Sequence, residues 1–267
     1  MFLVNGEWSS VISIADRSFQ YGDGCFTTML TQKDRIVHWI AHMERMNSCL
    51  DVLHIPRPDW EQVEEWLEQV NTGEDKGGLK LLITRGEGGR GYSPSQVGKP
   101  NIVISRFEFP LHYHNWVQVG IELGVCQTPL GHNPLLAGHK HNNRLEQVLL
   151  KSEMERQAKV DGIAFDIDGY VIETTMANIF WFTDNTLYTP LLDRAGVNGV
   201  IRRKILEWAL KENITVHTDR FRLDALLCAE EIFICNSILG VAPVHTIESN
   251  SYKIGMFTRH IQEMFQS

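Results

Sequence analysis

Two turn pairs, Asn5-Gly6 and Asp168-Gly169, constrain this chain more than any other feature. Each sits between apolar, strand-like runs. Such tight turns need positive φ, which Asn, Asp and Gly tolerate and branched residues do not. A chain folded back in this way builds antiparallel neighbours. Further β-rich runs fall at 79–85, 101–107, 117–125, 178–182, 186–188, 214–217, 231–236 and 241–246. Helical spacing lies between them. Trp39, Ile40, Met43, Met46, Leu50 and Leu53 recur at three and four residues across 38–53. Asp59 reads as the N-cap of a helix whose apolar face is Trp60, Val63, Trp66, Leu67 and Val70, with Gln62 three residues on. Helices are also predicted over 143–159, with Asn143 and Glu146 as a capping pair, over 198–211 and over 254–265. The pattern is α+β, with a first domain at 1–110 and a larger, strand-rich one at 111–267.

Composition narrows the function classes. Lys+Arg 25 against Asp+Glu 33 gives a net charge of −8 in 267 residues, which argues against broad binding to nucleic acid or an anionic membrane. The five cysteines, Cys25, Cys49, Cys126, Cys228 and Cys235, are odd in number, scattered and without CxxC spacing. That pattern fits neither a disulfide framework nor a zinc ribbon, and points to a reducing compartment. No apolar run reaches the roughly 18–20 residues of a membrane span. Residues 1–4 run straight into the Asn5-Gly6 turn rather than into a signal sequence. The expectation is a soluble cytoplasmic protein.

Several motifs admit a functional reading beside a plainer one. Gly86-Glu87-Gly88-Gly89-Arg90-Gly91 matches GxGxxG, but Tyr92-Ser93-Pro94-Ser95 follows instead of a helix, so a dinucleotide fold is rejected. Residues 86–98 read either as a mobile loop or as a substrate cover in which Arg90 clamps a carboxylate through its planar fork. His112-x-His114 and His139-x-His141, taken as strands, put paired imidazoles on one face, yet lack a third ligand at metal spacing, so no metal is expected. Lys140, in the irregular stretch 131–141, is either a surface lysine or a Schiff-base lysine. Glu173 closes a β-run, as a solvated carboxylate or as an inward one needing a positive partner such as a protonated pyridine ring. Gly196-Val197-Asn198-Gly199-Val200-Ile201-Arg202 opens a helix, as a phosphate seat or a plain N-cap at Asn198. Asn236-Ser237 and Arg45 are further candidate phosphate donors.

In this order, Tyr21-Gly22-Asp23-Gly24, His42-x-x-Arg45, Lys140, Glu173-x-x-x-Ala177-Asn178-x-Phe180, Asn198-Gly199-Val200-x-Arg202 and Asn236-Ser237 resemble the class IV aminotransferase family, which are pyridoxal-phosphate enzymes of fold type IV. The likeness covers nearly the whole chain. It implies two domains, a small sandwich-like α/β N-terminal one and a larger C-terminal pseudo-barrel. It implies pyridoxal 5'-phosphate as cofactor and a homodimer. Lys140 would carry the cofactor and act as the base, and Glu173 would face its ring nitrogen. Arg45, the backbone of Gly199, Val200 and Ile201, and Asn236 with Ser237 would hold the phosphate. Thr27, Thr28 and Arg90 would line the substrate side. Transaminases of the family usually carry a tyrosine a few residues after the lysine, where this chain has Leu145 or its neighbours. Together with Arg85-Gly86-x-Gly88-Gly89-Arg90-Gly91-Tyr92 and the run from Asn133 to Gln147, this moves the expected activity to a lyase. Its reaction would convert 4-amino-4-deoxychorismate to 4-aminobenzoate and pyruvate, in folate biosynthesis. Branched-chain or D-amino-acid aminotransfer, or a non-catalytic binding protein on the same fold, are the alternatives.

Overall fold

The computed structural model describes residues 2–33 and 35–266; Met1, at the head of the expected first strand, Asp34 and Ser267 lie outside them. Two compact units form, one from Met1–Phe109 with His139–Asn143 and one from Pro110–Gly138 with Arg144–Ser267.

The first unit holds β1 (Phe2–Val4), β2 (Glu7–Ser9), α1 (Arg17–Tyr21), β3 (Gly24–Gln32), β4 (Arg35–Ile36), α2 (Trp39–Val52), α3 (Trp60–Val70), β5 (Gly77–Thr84), β6 (Gly88–Arg90), β7 (Ser93–Val97) and β8 (Asn101–Glu108). Asn5 and Gly6 take φ of 51° and 85° in the β1–β2 turn. The six-stranded antiparallel sheet runs β2-β1-β8-β5-β3-β4. Strand periodicity sorts β3 cleanly: Cys25, Thr27, Met29 and Thr31 are buried, while Phe26, Thr28 and Leu30 on the other face are half-buried. The buried face joins Leu79, Leu81 and Ile83 of β5 and Ile104 of β8 to Met46 and Leu50 of α2 and Val63 and Leu67 of α3. Each such side chain contributes about 1.5–3 kcal/mol by leaving water. Asp59 caps α3, its Oδ1 accepting from the N–H groups of Glu61 and Gln62 at 3.1 and 3.4 Å.

Residues 86–98, expected as a loop, form the β6–β7 hairpin. Arg17 holds it. Its guanidinium donates to the carbonyls of Gly91 at 3.1 Å and Tyr92 at 3.2 Å, while its Nε reaches Asp23 Oδ2 at 2.9 Å. Asp23 also accepts from Arg85 Nε at 2.7 Å. Burial alone would raise the Asp23 carboxyl, but Arg85 and Arg17 outweigh it and hold the group below its ordinary 3.8.

The second unit holds α4 (His112–Val119), β9 (Ile121–Val125), α5 (Leu145–Arg156), β10 (Gly162–Phe165), β11 (Val171–Thr174), β12 (Asn178–Thr183), β13 (Thr186–Pro190), α6 (Val200–Lys211), β14 (Thr215–Asp219), α7 (Leu223–Leu227), β15 (Glu231–Asn236), β16 (Gly240–Ile247), β17 (Asn250–Ser251) and α8 (Met256–Gln266). Its sheet runs β11-β10-β9-β16-β15-β12-β13-β14, with β17 beside β16. Five strand spacings separate β11 from β12 along this path, about 24 Å if flat. Yet the chain passes from Thr174 to Asn178 in four steps, which reach at most about 14 Å. The sheet must therefore curl, and the pseudo-barrel follows. Ile179, Trp181, Ile232, Ile234, Ala242 and Val244 share one apolar cluster. Phe180 and Phe233, on the opposite face, stack with centroids 5.2 Å apart and pack with Ile201 and Ile205 of α6.

Four local expectations are corrected. Residues 112–119 are helical rather than extended, because Gly120 at φ 88° ends α4 and only then does β9 begin. His112 and His114 therefore diverge around a helix, and His112 packs edge-on against Trp116 at 4.6 Å. Asn143 and Glu146 do not cap α5: Asn143 donates to Gly22 O at 3.1 Å and Glu146 accepts from Gly131 N at 2.8 Å. The N-cap of α6 is Gly199, since the Asn198 side chain is taken by Arg202 at 2.9 Å. All five cysteines are free thiols. Among the described residues no helix is long and apolar enough to cross a membrane.

Two predictions follow from these anchors. Asp59→Ala removes the α3 cap and lowers unfolding free energy by about 1 kcal/mol in urea titration. Asp23→Asn removes the negative charge that two guanidinium groups share, leaving them a neutral amide oxygen, and costs about 2 kcal/mol. Because the Asp23 carboxyl titrates below 3.8 when folded, its contribution is complete above that pH and lost as pH falls through the folded value. Acid unfolding of the variant should therefore begin from a lower plateau and show a shallower acid limb.

Candidate functional site

In the first unit, backbone pairing places Lys140. Phe26 N donates to Lys140 O at 3.0 Å, Asn142 N donates to Gly24 O at 2.9 Å, and Cys25 bridges His141. The segment 139–143 thus extends the start of β3. Asn142 Nδ2 reaches Ser18 Oγ at 2.8 Å and Asn143 reaches Gly22, so the Tyr21-Gly22-Asp23-Gly24 turn serves as its seat. A Cβ on Gly24 would lie 2.2 Å from Ile83 O of β5 and 2.6 Å from Asn142 Nδ2, and the backbone clash explains why that position is glycine. The half-buried Lys140 carries its Nζ 4.7 Å from the centroid of the Phe26 ring.

Thr28 lies on the Phe26 face of β3, and Thr27 on the opposite one. Thr27 is fully buried, its hydroxyl 2.6 Å from His42 Nδ1 and accepting from Arg45 Nη2 at 2.5 Å. Strand alternation sends Thr27 and Thr28, both expected on the substrate side, to opposite faces of β3. Arg45 is buried on α2 against Thr27, and Arg90 is exposed on β6.

In the second unit, Glu173, Gly199, Val200, Ile201, Asn236 and Ser237 gather at the ends of β11, α6 and β15. Glu173 is 6% exposed and its Oε2 accepts from Val197 N at 3.0 Å. Gly196 lies against it: a Cβ there would sit 2.6 Å from Ile172 Cγ2 and 3.5 Å from Glu173 Cδ. No side chain caps α6 at Gly199, and Val200 and Ile201 in its first turn are buried. An uncapped helix start with buried flanks offers backbone N–H groups and the positive end of the dipole to an anion. Asn236 Oδ1 accepts from Ile238 N and Leu239 N at 2.9 and 2.8 Å, and its Nδ2 donates to Met176 O at 3.3 Å. Its side chain therefore shapes the turn around Ser237 and ties it to the 175–177 turn.

Three residues absent from the expected set complete this end of the barrel. Asn178 bridges Val197 O and Gly199 N. Arg202, 5% exposed, donates to Asn198 and to Pro190 O at 2.9 Å each. Burial pulls its guanidinium below its ordinary value, while Cys235 and Glu173 nearby pull the other way. Asp161, with no exposure, accepts at Oδ1 from the backbone and hydroxyl of Thr175 at 2.9 and 2.6 Å. Burial pushes the Asp161 carboxyl up. Asn178 and Arg202 stood in the motifs, but single letters do not show which side chains brace a loop. His132, Asp166 and Asp168 also converge, His132 Nε2 lying 3.0 Å from Asp166 Oδ2, but Arg194 already pairs with Asp168.

The model of the class IV amino-transferase family matches residues 24–247. The chain is 50% identical over 266 residues to an aminodeoxychorismate lyase of Vibrio harveyi, covering 98% of each chain. A crystal structure of 4-amino-4-deoxychorismate lyase from Pseudomonas aeruginosa superposes with a TM-score of 0.93 at 33% identity, over 100% of this chain and 98% of that one. An Escherichia coli branched-chain amino acid aminotransferase shares the fold at a TM-score of 0.88 and 21% identity, over 99% and 93% of the two chains. The matched span takes in β3, both flanks of Glu173 and the α6 start, and the chain belongs to the class IV aminotransferase family.

Proposed function

We propose that this chain is a pyridoxal-phosphate-dependent lyase that converts 4-amino-4-deoxychorismate to 4-aminobenzoate and pyruvate. The observation that carries the reading is the 50% identity to the Vibrio harveyi lyase over 98% of both chains. The retained Lys140 and Glu173 and the uncapped, buried start of α6 support it. Fit to the cofactor is tested by donor chemistry. An uncapped helix start suits a phosphate, and a buried carboxylate oriented by Val197 suits a protonated ring nitrogen.

When bound, pyridoxal phosphate supplies a carbonyl for the substrate amine and a ring that takes up electron density from the adjacent carbon. Lys140 is the residue that would carry it. Glu173 holds negative charge for the ring nitrogen, with Val197 N–H fixing its orientation. Val200 and Ile201 offer backbone donors to the phosphate beside Gly199, whose own N–H is held by Asn178, and the turn at Asn236 and Ser237 joins them; Arg45 would be a further cation for it. With its side chain free as an amine, Lys140 would take the proton from the amine-bearing ring carbon of the substrate. It then returns a proton as the enolpyruvyl oxygen leaves, and aromatisation of the product makes the step irreversible. Thr28, on the Phe26 face of β3, would meet substrate, and the exposed Arg90 would pair with a carboxylate.

A second copy completes the working molecule in this reading. Leu145, Val148 and Leu149 present an exposed apolar stripe at helical spacing on α5, the kind of surface that oligomers cover. Five free thiols suit a reducing cytoplasm.

The purified chain loaded with pyridoxal phosphate should release pyruvate from 4-amino-4-deoxychorismate with no amino acceptor present. Lys140→Ala should lower that rate at least ~10²–10⁴-fold. Turnover that requires an oxo-acid acceptor would assign an aminotransferase instead, and normal turnover by the alanine variant would remove the lysine from the mechanism.

A further inference from the structure

We propose that Asn178 is a positioning residue that fixes the spacing between Glu173 and the phosphate seat at the start of α6. The inference rests on the cofactor reading above, and its test lets either fail alone. Asn178 opens β12, five residues beyond Glu173, and is 5% exposed. Both ends of its amide are used. Nδ2 donates to Val197 O at 2.8 Å, and Oδ1 accepts from Gly199 N at 3.1 Å. Val197 in turn donates its N–H to Glu173 at 3.0 Å. One residue, Val197, therefore touches the acid through its N–H and the Asn178 amide through its C=O, and the same amide holds the N-cap of α6. The fit is close: a Cβ on Gly199 would lie 2.3 Å from Asn178 Oδ1.

The chemistry of the amide matters because this position must donate to a carbonyl and accept from an N–H at once. Asparagine does both, ionised aspartate only accepts, and alanine does neither. The surrounding loop has other anchors. Gly138 bonds Gly196 O and Asn198 N at 2.9 Å each, and Arg202 holds Asn198 and Pro190 O. Asn178 itself stays in the sheet through its pairing with Cys235. Loss of the amide therefore frees the spacing without removing the loop. A ligand that joins a phosphate rigidly to a ring gains from both subsites only when their separation is held; each fragment alone does not sense it.

The test uses cofactor-free protein. Wild type, Asn178→Asp and Asn178→Ala are titrated with pyridoxal phosphate, with pyridoxal, and with inorganic phosphate in competition, alongside thermal melting of each. The expected result is a loss of about tenfold or more for pyridoxal phosphate in both variants. In the alanine variant, affinities for pyridoxal and for phosphate should stay within about twofold, as two separate subsites would; in the aspartate variant, whose added charge also repels an anion, the uncharged-tail ligand pyridoxal should stay within about twofold. Should the alanine variant not fold, the aspartate variant, which keeps the size and the bond from Gly199, decides. Unchanged affinity for pyridoxal phosphate overturns the proposal, and so does an equal loss for all three ligands, which marks a merely structural role. A wild-type protein that does not bind pyridoxal phosphate overturns the cofactor reading itself.

Discussion

A three-residue turn governs the second unit. Thr175, Met176 and Ala177 join two strands that stand five places apart in the sheet order, and only a curled sheet lets so short a link close. The turn is heavily satisfied. Asp161 takes the backbone and hydroxyl of Thr175, Thr174 N donates to Ala177 O at 2.8 Å, and Asn236 reaches Met176 O. Glu173 lies just before it and Asn178 just after. The constraint that closes the barrel thus delivers an acid and an amide to one end of it, where the 196–199 loop and the first turn of α6 meet them.

The first unit uses a different device for Lys140. A helix or a long loop would leave such a side chain free to sweep. Here the segment 139–143 is stitched to β3 through backbone bonds at Gly24 and Phe26, and its flanking asparagines are tied to Ser18 and Gly22. The Gly22-Asp23-Gly24 turn is held from the other side by Arg17 and Arg85 through Asp23. Such an over-determined backbone fixes where the Lys140 side chain starts, and the Phe26 ring beside its amine narrows where it ends.

Much of this was legible in the sequence wherever a local rule decides the outcome. Asn5 and Gly6 both take positive φ as their turn demands, and Asp59 caps α3, whereas at Asp168-Gly169 the glycine alone does so. The 231–236 run is β15 to the residue. Legibility failed where tertiary partners outbid local ones. Asn143 had the spacing of a capping residue but found a better acceptor in Gly22 O, and Asn198 lost its capping role to Arg202. The glycines of 86–98 suggested mobility, yet they permit the backbone of a hairpin whose carbonyls converge on Arg17. Thr27 and Thr28 were adjacent letters that the pleat sends apart. Asn178 was visible as a letter but not as a clamp, because nothing in its neighbours announces that Val197 and Gly199 come to meet it.

The central claim is that the amine at position 140 carries the cofactor. Borohydride reduction of the protein loaded with pyridoxal phosphate, followed by peptide mass mapping, tests it most directly. The account predicts one pyridoxyl group, on Lys140, with loss of visible absorbance in step with loss of turnover. A label on another lysine, or full turnover after stoichiometric reduction, would contradict it.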